Sequence, residues 1–197
     1  MDPRLKHSGM TNFLMKDKGS LRKHYLKLLK GQNKEECLRK SRLIAEQFWK
    51  LPAIHKAQSI LFYASMPGEV DTLAMIEKAI FSGKRVALPI VEQNQRKLIP
   101  TVILSMEDVR ESTYGIAEPH FDPDKALALK DIDTVIVPGL AFDRNHHRLG
   151  RGKGYYDRFL GALPKSVTTV GLAFDFQLTD CLPTEAHDMR LQQIIAG

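Results

Sequence analysis

The stretch DTVIVPGLAFDRNHHRLGRGKGYYDRFL, residues 133–160, decides the fold class. It opens on residues 133–138 (DTVIVP), where four β-branched residues run together without polar alternation, the pattern of a strand buried on both faces. It closes on a helical pattern over residues 155–163. Between them lies NHHRLGRGKGYYD, residues 145–157, in which Gly150, Gly152 and Gly154 alternate with Arg151 and Lys153. A buried strand, a glycine-rich turn and a helix make a unit of an open α/β sheet, whose ligands bind beyond the carboxyl ends of the strands.

Outward from this unit the same texture repeats. Residues 59–64 (SILFYA), 85–91 (RVALPIV), 97–104 and 166–173 read as strands, and residues 191–195 as a short last one. Residues 72–81 read as a helix stopped by Gly83, residues 124–130 as a short helix, and residues 109–119 as an irregular loop. At the front, Leu21, Tyr25, Leu28 and Leu29 have amphipathic-helix spacing, with Gly31 placed to end the helix. Asn33 and Glu36 then form a capping-box pair. They open a second helix whose buried stripe is Cys37, Ser41, Ile44, Ala45, Phe48 and Trp49, closed by Pro52. The expected fold is α/β: three layers, α/β/α, with a mostly parallel sheet and an N-terminal helical pair. Residues 1–15 lack either periodicity and read as a leader or cloning remnant, leaving residues 16–197 as one domain.

The 197 residues are 43% apolar and 26% charged, which excludes a disordered chain, collagen and a coiled coil. No apolar run approaches the ~18 residues of a membrane helix. Cys37 and Cys181 are too few and too far apart for a disulfide scaffold or a four-ligand zinc site, so a reducing, cytoplasmic setting is expected. Charge is uneven. Residues 1–60 carry 14 Lys or Arg against 5 Asp or Glu, and the remainder 15 against 18. A basic front segment fits nucleic acid, anionic lipid, a phosphorylated small molecule or a merely solvated helix face.

In the glycine-rich segment, exposed N–H groups, the positive end of the next helix and the cations Arg148, Arg151 and Lys153 make an anion site suited to a phosphate chain. The spacing is neither GxxxxGK[ST] nor GxGxxG. A basic loop without a ligand is the competing reading. Asp157, in the first turn of the following helix, is either a helix-terminus charge or a magnesium ligand, and Asp188 is a second candidate carboxylate. His146 and His147 lack a third zinc ligand and read as surface imidazoles. Cys181 has no neighbouring base and reads as a buried or inert thiol. Phe48 and Trp49 read as core. The turn in residues 63–72 (YASMPGEVDT) could bring Glu69 to the same sheet edge, with Asp71 or Thr72 capping the next helix. Tyr114 offers an aromatic face in a loop.

With these residues in place, the chain from about Lys18 to Ile195 resembles the 5-formyltetrahydrofolate cyclo-ligase family. The most specific part is residues 138–160, around RLGRGKGYYD, supported by residues 18–22, 66–72, 114–119 and 187–188. The resemblance implies an ATP- and Mg2+-dependent conversion of 5-formyltetrahydrofolate to 5,10-methenyltetrahydrofolate, releasing ADP and phosphate. ATP would phosphorylate the formyl oxygen, a poor leaving group, and N10 would then attack the activated carbon. Lys18, Arg22, Arg148, Gly150, Arg151, Gly152, Lys153, Gly154, Tyr155 and Tyr156 match the ATP-binding positions. Arg148, Lys153 and Tyr155 match catalytic positions, and Asp157 and Asp188 the Mg2+ positions. Ala64, Met66, Glu69 and Tyr114, with Arg151, Lys153 and Tyr155, match the folate side, although relatives commonly carry Trp where Tyr114 stands. A monomer acting on folate and ATP, without nucleic acid or membrane, is expected. The rival readings are another ATP-dependent phosphotransferase on the same fold and a nucleic-acid-binding module.

Overall fold

The computed structural model describes residues 17–111 and 117–197. The N-terminal helical pair is α1 (Lys18–Lys30) and α2 (Lys34–Trp49). Asp17 starts α1 by accepting the Ser20 N–H, a cap the periodicity did not reveal. Asn33 starts α2, its side-chain oxygen accepting the N–H groups of Glu35 and Glu36. Only half of the expected capping box forms, because the Glu36 carboxylate turns away to bind Arg39 at 2.7 Å. A short helix α3 (Pro52–Lys56) leads into β1 (Ser59–Leu61). Then come α4 (Leu73–Phe81), β2 (Arg85–Glu92) and β3 (Lys97–Ile103). The small strands β4 (Val109–Glu111) and β5 (Ala117–Pro119) follow, and then β6 (Thr134–Val137), β7 (Ala141–Asp143) and β8 (Arg148–Leu149). The chain ends with α5 (Tyr155–Ala162), β9 (Thr168–Ala173), β10 (Leu178–Thr179) and β11 (Gln193–Ala196).

Among the described residues the main sheet has the order β11-β9-β6-β1-β2-β3. Its pairs are parallel except β2 with β3, which meet as an antiparallel hairpin. Side chains alternate between two cores. Ile60, Val86, Leu88, Ile136, Val170 and Leu172 face the cluster completed by α1 to α4, with Leu21, Ile44, Phe48, Ile54 and Met75. Leu61, Ala87, Val135 and Val137 face the other cluster, built with Phe142 and with Phe159 and Leu160 of α5. The continuous apolar runs therefore exist because each strand is covered on both faces. The α/β/α expectation holds, with an uneven division of the helices.

Three expectations are corrected. Residues 124–130 are not a helix: two single 3₁₀ turns, Pro123–Lys125 and Leu129–Asp131, flank the non-helical residues 126–128. Pro123 pre-sets the first turn, but Ala126, which caps its end, is extended and bridges Thr101 of β3, which ends the helical run. Residues 109–119 are not wholly irregular, since Val109 pairs with Pro119 and Glu111 with Ala117. The first strand stops at Leu61, three residues early: the Phe62 N–H still donates to the Ala87 carbonyl of β2, and Tyr63 and Ala64 then turn to line the cavity of the site. The leader, residues 1–15, and Tyr114 lie outside the described residues. Among the described residues no helix is long and apolar enough to cross a membrane.

The strand order places a topological switch between β1 and β6. From β1 the chain moves to β2 and β3 on one side, then returns to β6 on the other. The crevice beyond the carboxyl ends of β1 and β6 is thus where a ligand site is expected.

Candidate active site

A cavity of about 520 Å³ opens at this switch point. Every described residue assigned to the site from sequence lines it, from Lys18 and Arg22 on α1 through Ala64, Met66 and Glu69 after β1 to residues 148–157 and Asp188. Four parts of the chain, spread over 170 positions from Lys18 to Asp188, therefore converge on one space.

The turn after β1 is held by its own backbone geometry. Gly68 has φ +87°, and a Cβ there would collide with the carbonyl of Leu29 at the end of α1, so the turn packs tightly only as glycine. Its carbonyl accepts a bond from Gln32 Nε2 at 2.7 Å. Asp71 Oδ1 caps α4 by accepting the Leu73 N–H, while Thr72 Oγ1 donates instead to the carbonyl of Tyr63. Glu69 is thereby delivered into the cavity, one oxygen accepting the Met66 N–H at 3.0 Å and the other 2.6 Å from Arg151 Nη2.

The opposite wall begins at Arg148 on β8, which pairs antiparallel with β7. Its side chain is 4% exposed and donates to Asp157 Oδ1 at 2.9 Å and to the Pro138 carbonyl at 3.3 Å, with the guanidinium 5.5 Å from the centre of the Tyr156 ring. Arg148 Nε is buried without a partner in the structure, a donor left over inside the site. Burial pushes the Tyr156 phenol well above its usual range, with Arg148 pulling the other way. Beyond Arg148 the chain turns through Gly152, at φ +97°, where a Cβ would press on Arg22 at 3.3 Å. Arg22 Nε donates to the Gly150 carbonyl at 3.0 Å, so α1 braces the glycine-rich loop directly. Arg158 braces it from α5 by donating to the Lys153 carbonyl at 2.9 Å.

The third side comes from the C-terminal segment. Lys18 Nζ lies 2.6 Å from Asp188 Oδ2 and 2.9 Å from Glu185 Oε1. Burial works against the Lys18 charge, but the two carboxylates outweigh it and hold the ammonium above the ordinary lysine range. Burial likewise raises Asp188, and bonds from Lys18 and the Glu185 N–H overcome it to leave Asp188 below the ordinary aspartate range. Each predicted carboxylate, Glu69, Asp157 and Asp188, is thus matched by one predicted cation: Arg151, Arg148 and Lys18.

Sequence reading missed several members of the cavity. Val91 and Leu98, facing each other across the β2–β3 hairpin, form an apolar wall, and Glu118 of β5 lines the cavity near them. Burial raises the Glu118 carboxyl, opposed by a bond from the Val91 backbone. The hairpin alternation was visible, but its approach to the site depends on the antiparallel turn-back of β3. His146 and His147 are not surface imidazoles, since His147 is 13% exposed and lies 3.1 Å from the buried Asp143. Cys181 is exposed rather than buried, its Sγ 3.6 Å from the Leu182 carbonyl. Phe48 and Trp49 do pack as core, edge to face at 5.0 Å.

Comparison with known proteins covers both walls. The 5-formyltetrahydrofolate cyclo-ligase family profile matches residues 14–197. The 5-formyltetrahydrofolate cyclo-ligase of Haemophilus influenzae is 35% identical over 144 residues, 72% of this chain and 77% of that protein. The Mus musculus protein of the same name is 28% identical over 187 residues, 90% of this chain and 92% of that one. The solved structure of Aquifex aeolicus 5,10-methenyltetrahydrofolate synthetase matches with TM-score 0.80 at 31% identity, covering 91% of this chain and 89% of that one. With the helical pair, the switch-point turn and the glycine-rich loop all inside the matched span, the chain belongs to the 5-formyltetrahydrofolate cyclo-ligase family.

Proposed function

We propose that this chain closes 5-formyltetrahydrofolate to 5,10-methenyltetrahydrofolate in an ATP-driven reaction that releases ADP and phosphate. The observation that carries it is the convergence, in one switch-point cavity, of a cation-studded glycine loop and a buried carboxylate on the facing turn. The first suits a triphosphate and the second a pterin with N–H donors. Chemically, the formyl oxygen takes the γ-phosphoryl group, N10 attacks the formyl carbon and loses its proton, and the C–O bond breaks with phosphate carrying off the electron pair. Little covalent work falls to the protein, so its residues position and neutralise charge.

In this reading, Lys18, Arg22, Arg148 and Lys153 hold the triphosphate together with the backbone of Gly150, Arg151, Gly152, Gly154, Tyr155 and Tyr156. Ala64, Met66 and Glu69 receive the pterin, with Tyr114 as its aromatic neighbour, and Arg151, Lys153 and Tyr155 stand between the two substrates. Arg148 and Lys153 neutralise the charge of the transferring group, and Tyr155, the first residue of α5, orients it. Mg2+ fits the donors present: Asp157 and Asp188 line the same cavity, and Asp188 Oδ1 lies 4.0 Å from His187 Nε2. Two carboxylates complemented by phosphate and water oxygens are what this ion takes, and when bound it neutralises phosphate charge. Among the described residues no cluster of three His, Cys, Asp or Glu suggests another metal. The reading keeps a cytoplasmic monomer, its free thiols Cys37 and Cys181 consistent with a reducing compartment.

The test is incubation of the purified chain with 5-formyltetrahydrofolate and MgATP, with controls lacking each component, following the near-ultraviolet absorbance of the methenyl product. Product in the complete mixture alone is expected. ADP release without that absorbance would point to another phosphotransferase reaction. Tight oligonucleotide binding that weakens steeply with salt would point to a nucleic-acid module.

A further inference from the structure

Asp143 ends β7 with its side chain 0% exposed, and among the described residues no Lys or Arg pairs with it. Four donors compensate for that burial. Oδ1 accepts the N–H groups of Asn145 and His147, both at 2.9 Å, while Oδ2 accepts the Leu182 N–H at 3.0 Å and lies 3.1 Å from His147 Nδ1. Arg190 Nε donates to His147 Nε2 at 2.9 Å. Nε2 must therefore offer its lone pair, which puts the ring hydrogen on Nδ1, aimed at Asp143. Beside this chain, the carbonyl of His146 accepts the Leu191 N–H at 2.9 Å.

One carboxylate thus joins the turn that leads into Arg148 to the segment that carries Asp188. His147 immediately precedes Arg148, and Arg190 follows Asp188 by two residues. Asp143, His147 and Arg190 do not line the cavity, so whatever they do for a ligand is done through those neighbours.

We propose that Asp143 is a positioning residue for nucleotide binding, fixing Arg148 and Asp188 relative to each other by locking the β7–β8 turn onto residues 182–191. This rests on the functional reading above, in which Arg148 and Asp188 serve ATP and its metal while Glu69 serves the folate. A carboxylate that only stabilised the fold would affect both substrates alike. A positioning residue affects ATP and spares the folate.

The experiment compares Asp143→Asn, His147→Ala, His147→Asn and Arg190→Ala with the wild type. Calorimetric ATP binding, KM for each substrate and thermal unfolding are measured for each. At position 143 Asn keeps one acceptor oxygen but turns an amide donor toward the Leu182 N–H and His147 Nδ1. Loss of these charge-assisted bonds should weaken ATP binding and raise its KM about tenfold or more, with folate KM within about twofold. His147→Ala should act in the same direction, and His147→Asn should recover most of the ATP affinity because its amide nitrogen can donate to Asp143. Arg190→Ala, an exposed change, should weaken ATP binding by a few-fold. The inference is overturned if Asp143→Asn binds ATP as the wild type does, or if both KM values rise together. Should Asp143→Asn fail to fold, the His147 pair decides by the same criteria: equal ATP affinity in Ala and Asn overturns it. Wild-type protein that binds ATP but forms no methenyl product strikes the functional reading instead, and the calorimetric comparison still judges Asp143.

Discussion

Arg151 Nη2 lies 2.6 Å from Glu69 Oε1, an ion pair across the cavity between residues 82 positions apart in sequence. The Arg151 side chain is 44% exposed and rides on the glycine loop, whereas Glu69 is 9% exposed and anchored by Met66. The guanidinium is therefore the partner that can leave. If the triphosphate draws Arg151 away, Glu69 is released for the pterin, and the two substrates help each other bind. Solvent screens the open Arg151 end of the pair, so a contribution of about 1 kcal/mol and a coupling of about fivefold are expected. Folate affinity is expected to rise in the presence of a non-hydrolysable ATP analogue, and Arg151→Ala is expected to abolish that dependence. Titration of folate with and without the analogue checks it, and an equal enhancement in wild type and variant would refute it.

The loop cations should separate by burial. Lys153 is exposed, so Lys153→Ala should impair ATP use with little change in the unfolding temperature. Arg148 is 4% exposed, paired with Asp157 and close to Tyr156. Breaking such a buried pair from one side costs about 3–5 kcal/mol, because the remaining carboxylate is left uncompensated. Arg148→Ala should therefore lose both stability and ATP use. Thermal unfolding alongside steady-state kinetics checks both, and an Arg148→Ala variant as stable as the wild type would show that the pair is not a structural support.

This division could not be read from the sequence, where Arg148 and Lys153 look alike as basic residues of one glycine-rich run. The strand–loop–helix unit was legible because β6 is buried on both faces and so reads as an uninterrupted apolar run. Glu69 was reachable because Pro67 and Gly68 mark a turn. Asp143 was not, since a buried carboxylate satisfied by backbone N–H groups leaves no periodic trace, and Leu182, which donates to it, and Arg190, which donates to its partner His147, become neighbours only through the fold. The short β4–β5 ladder, too, is set by tertiary pairing rather than by alternation.

The two proposed metal ligands should differ in what else they disturb. Asp157→Asn and Asp188→Asn each replace a full negative charge by an amide of similar size, and each should raise the free Mg2+ needed for turnover. Asp188→Asn also removes the counter-charge 2.6 Å from Lys18, so its ATP KM should rise at saturating Mg2+. Were Asp157 only a structural charge, paired with Arg148 at 2.9 Å in the first turn of α5, its replacement would lower stability and leave the metal titration unchanged. Rate against free Mg2+ at saturating ATP and folate, with unfolding in parallel, separates the cases. An unmoved midpoint in both variants would refute the metal assignment.

Asp143 and Asp188 should contribute to the acid limb of stability, alongside other lowered carboxyls such as Asp133 and Glu185. Burial raises both carboxyls, but N–H donors from His147 and Leu182 outweigh it at Asp143, and Lys18 with the Glu185 N–H outweighs it at Asp188, so both lie below the ordinary value of 3.8. A carboxyl lowered in the folded state binds fewer protons there than in the unfolded chain. Its stabilisation is therefore complete above the unfolded value and is lost as pH falls through the lower folded one. Lys18 has the opposite sign. Its raised value contributes stability that is complete below 10.5 and fades only in strong alkali, so it cannot shape the acid limb. Denaturant midpoints should begin to drop as pH falls toward 4.5, where lowered glutamates such as Glu185 start to take up protons in the unfolded chain, and drop further on the approach to 3.8. Asp143→Asn should start from a lower plateau, because each charge-assisted hydrogen bond lost is worth about 1.5–3 kcal/mol, and should descend less steeply below it, having one proton fewer to take up. Midpoints measured through the acid range on both proteins decide the matter: curves that stay parallel throughout would show that the Asp143 carboxyl titrates alike in folded and unfolded chains.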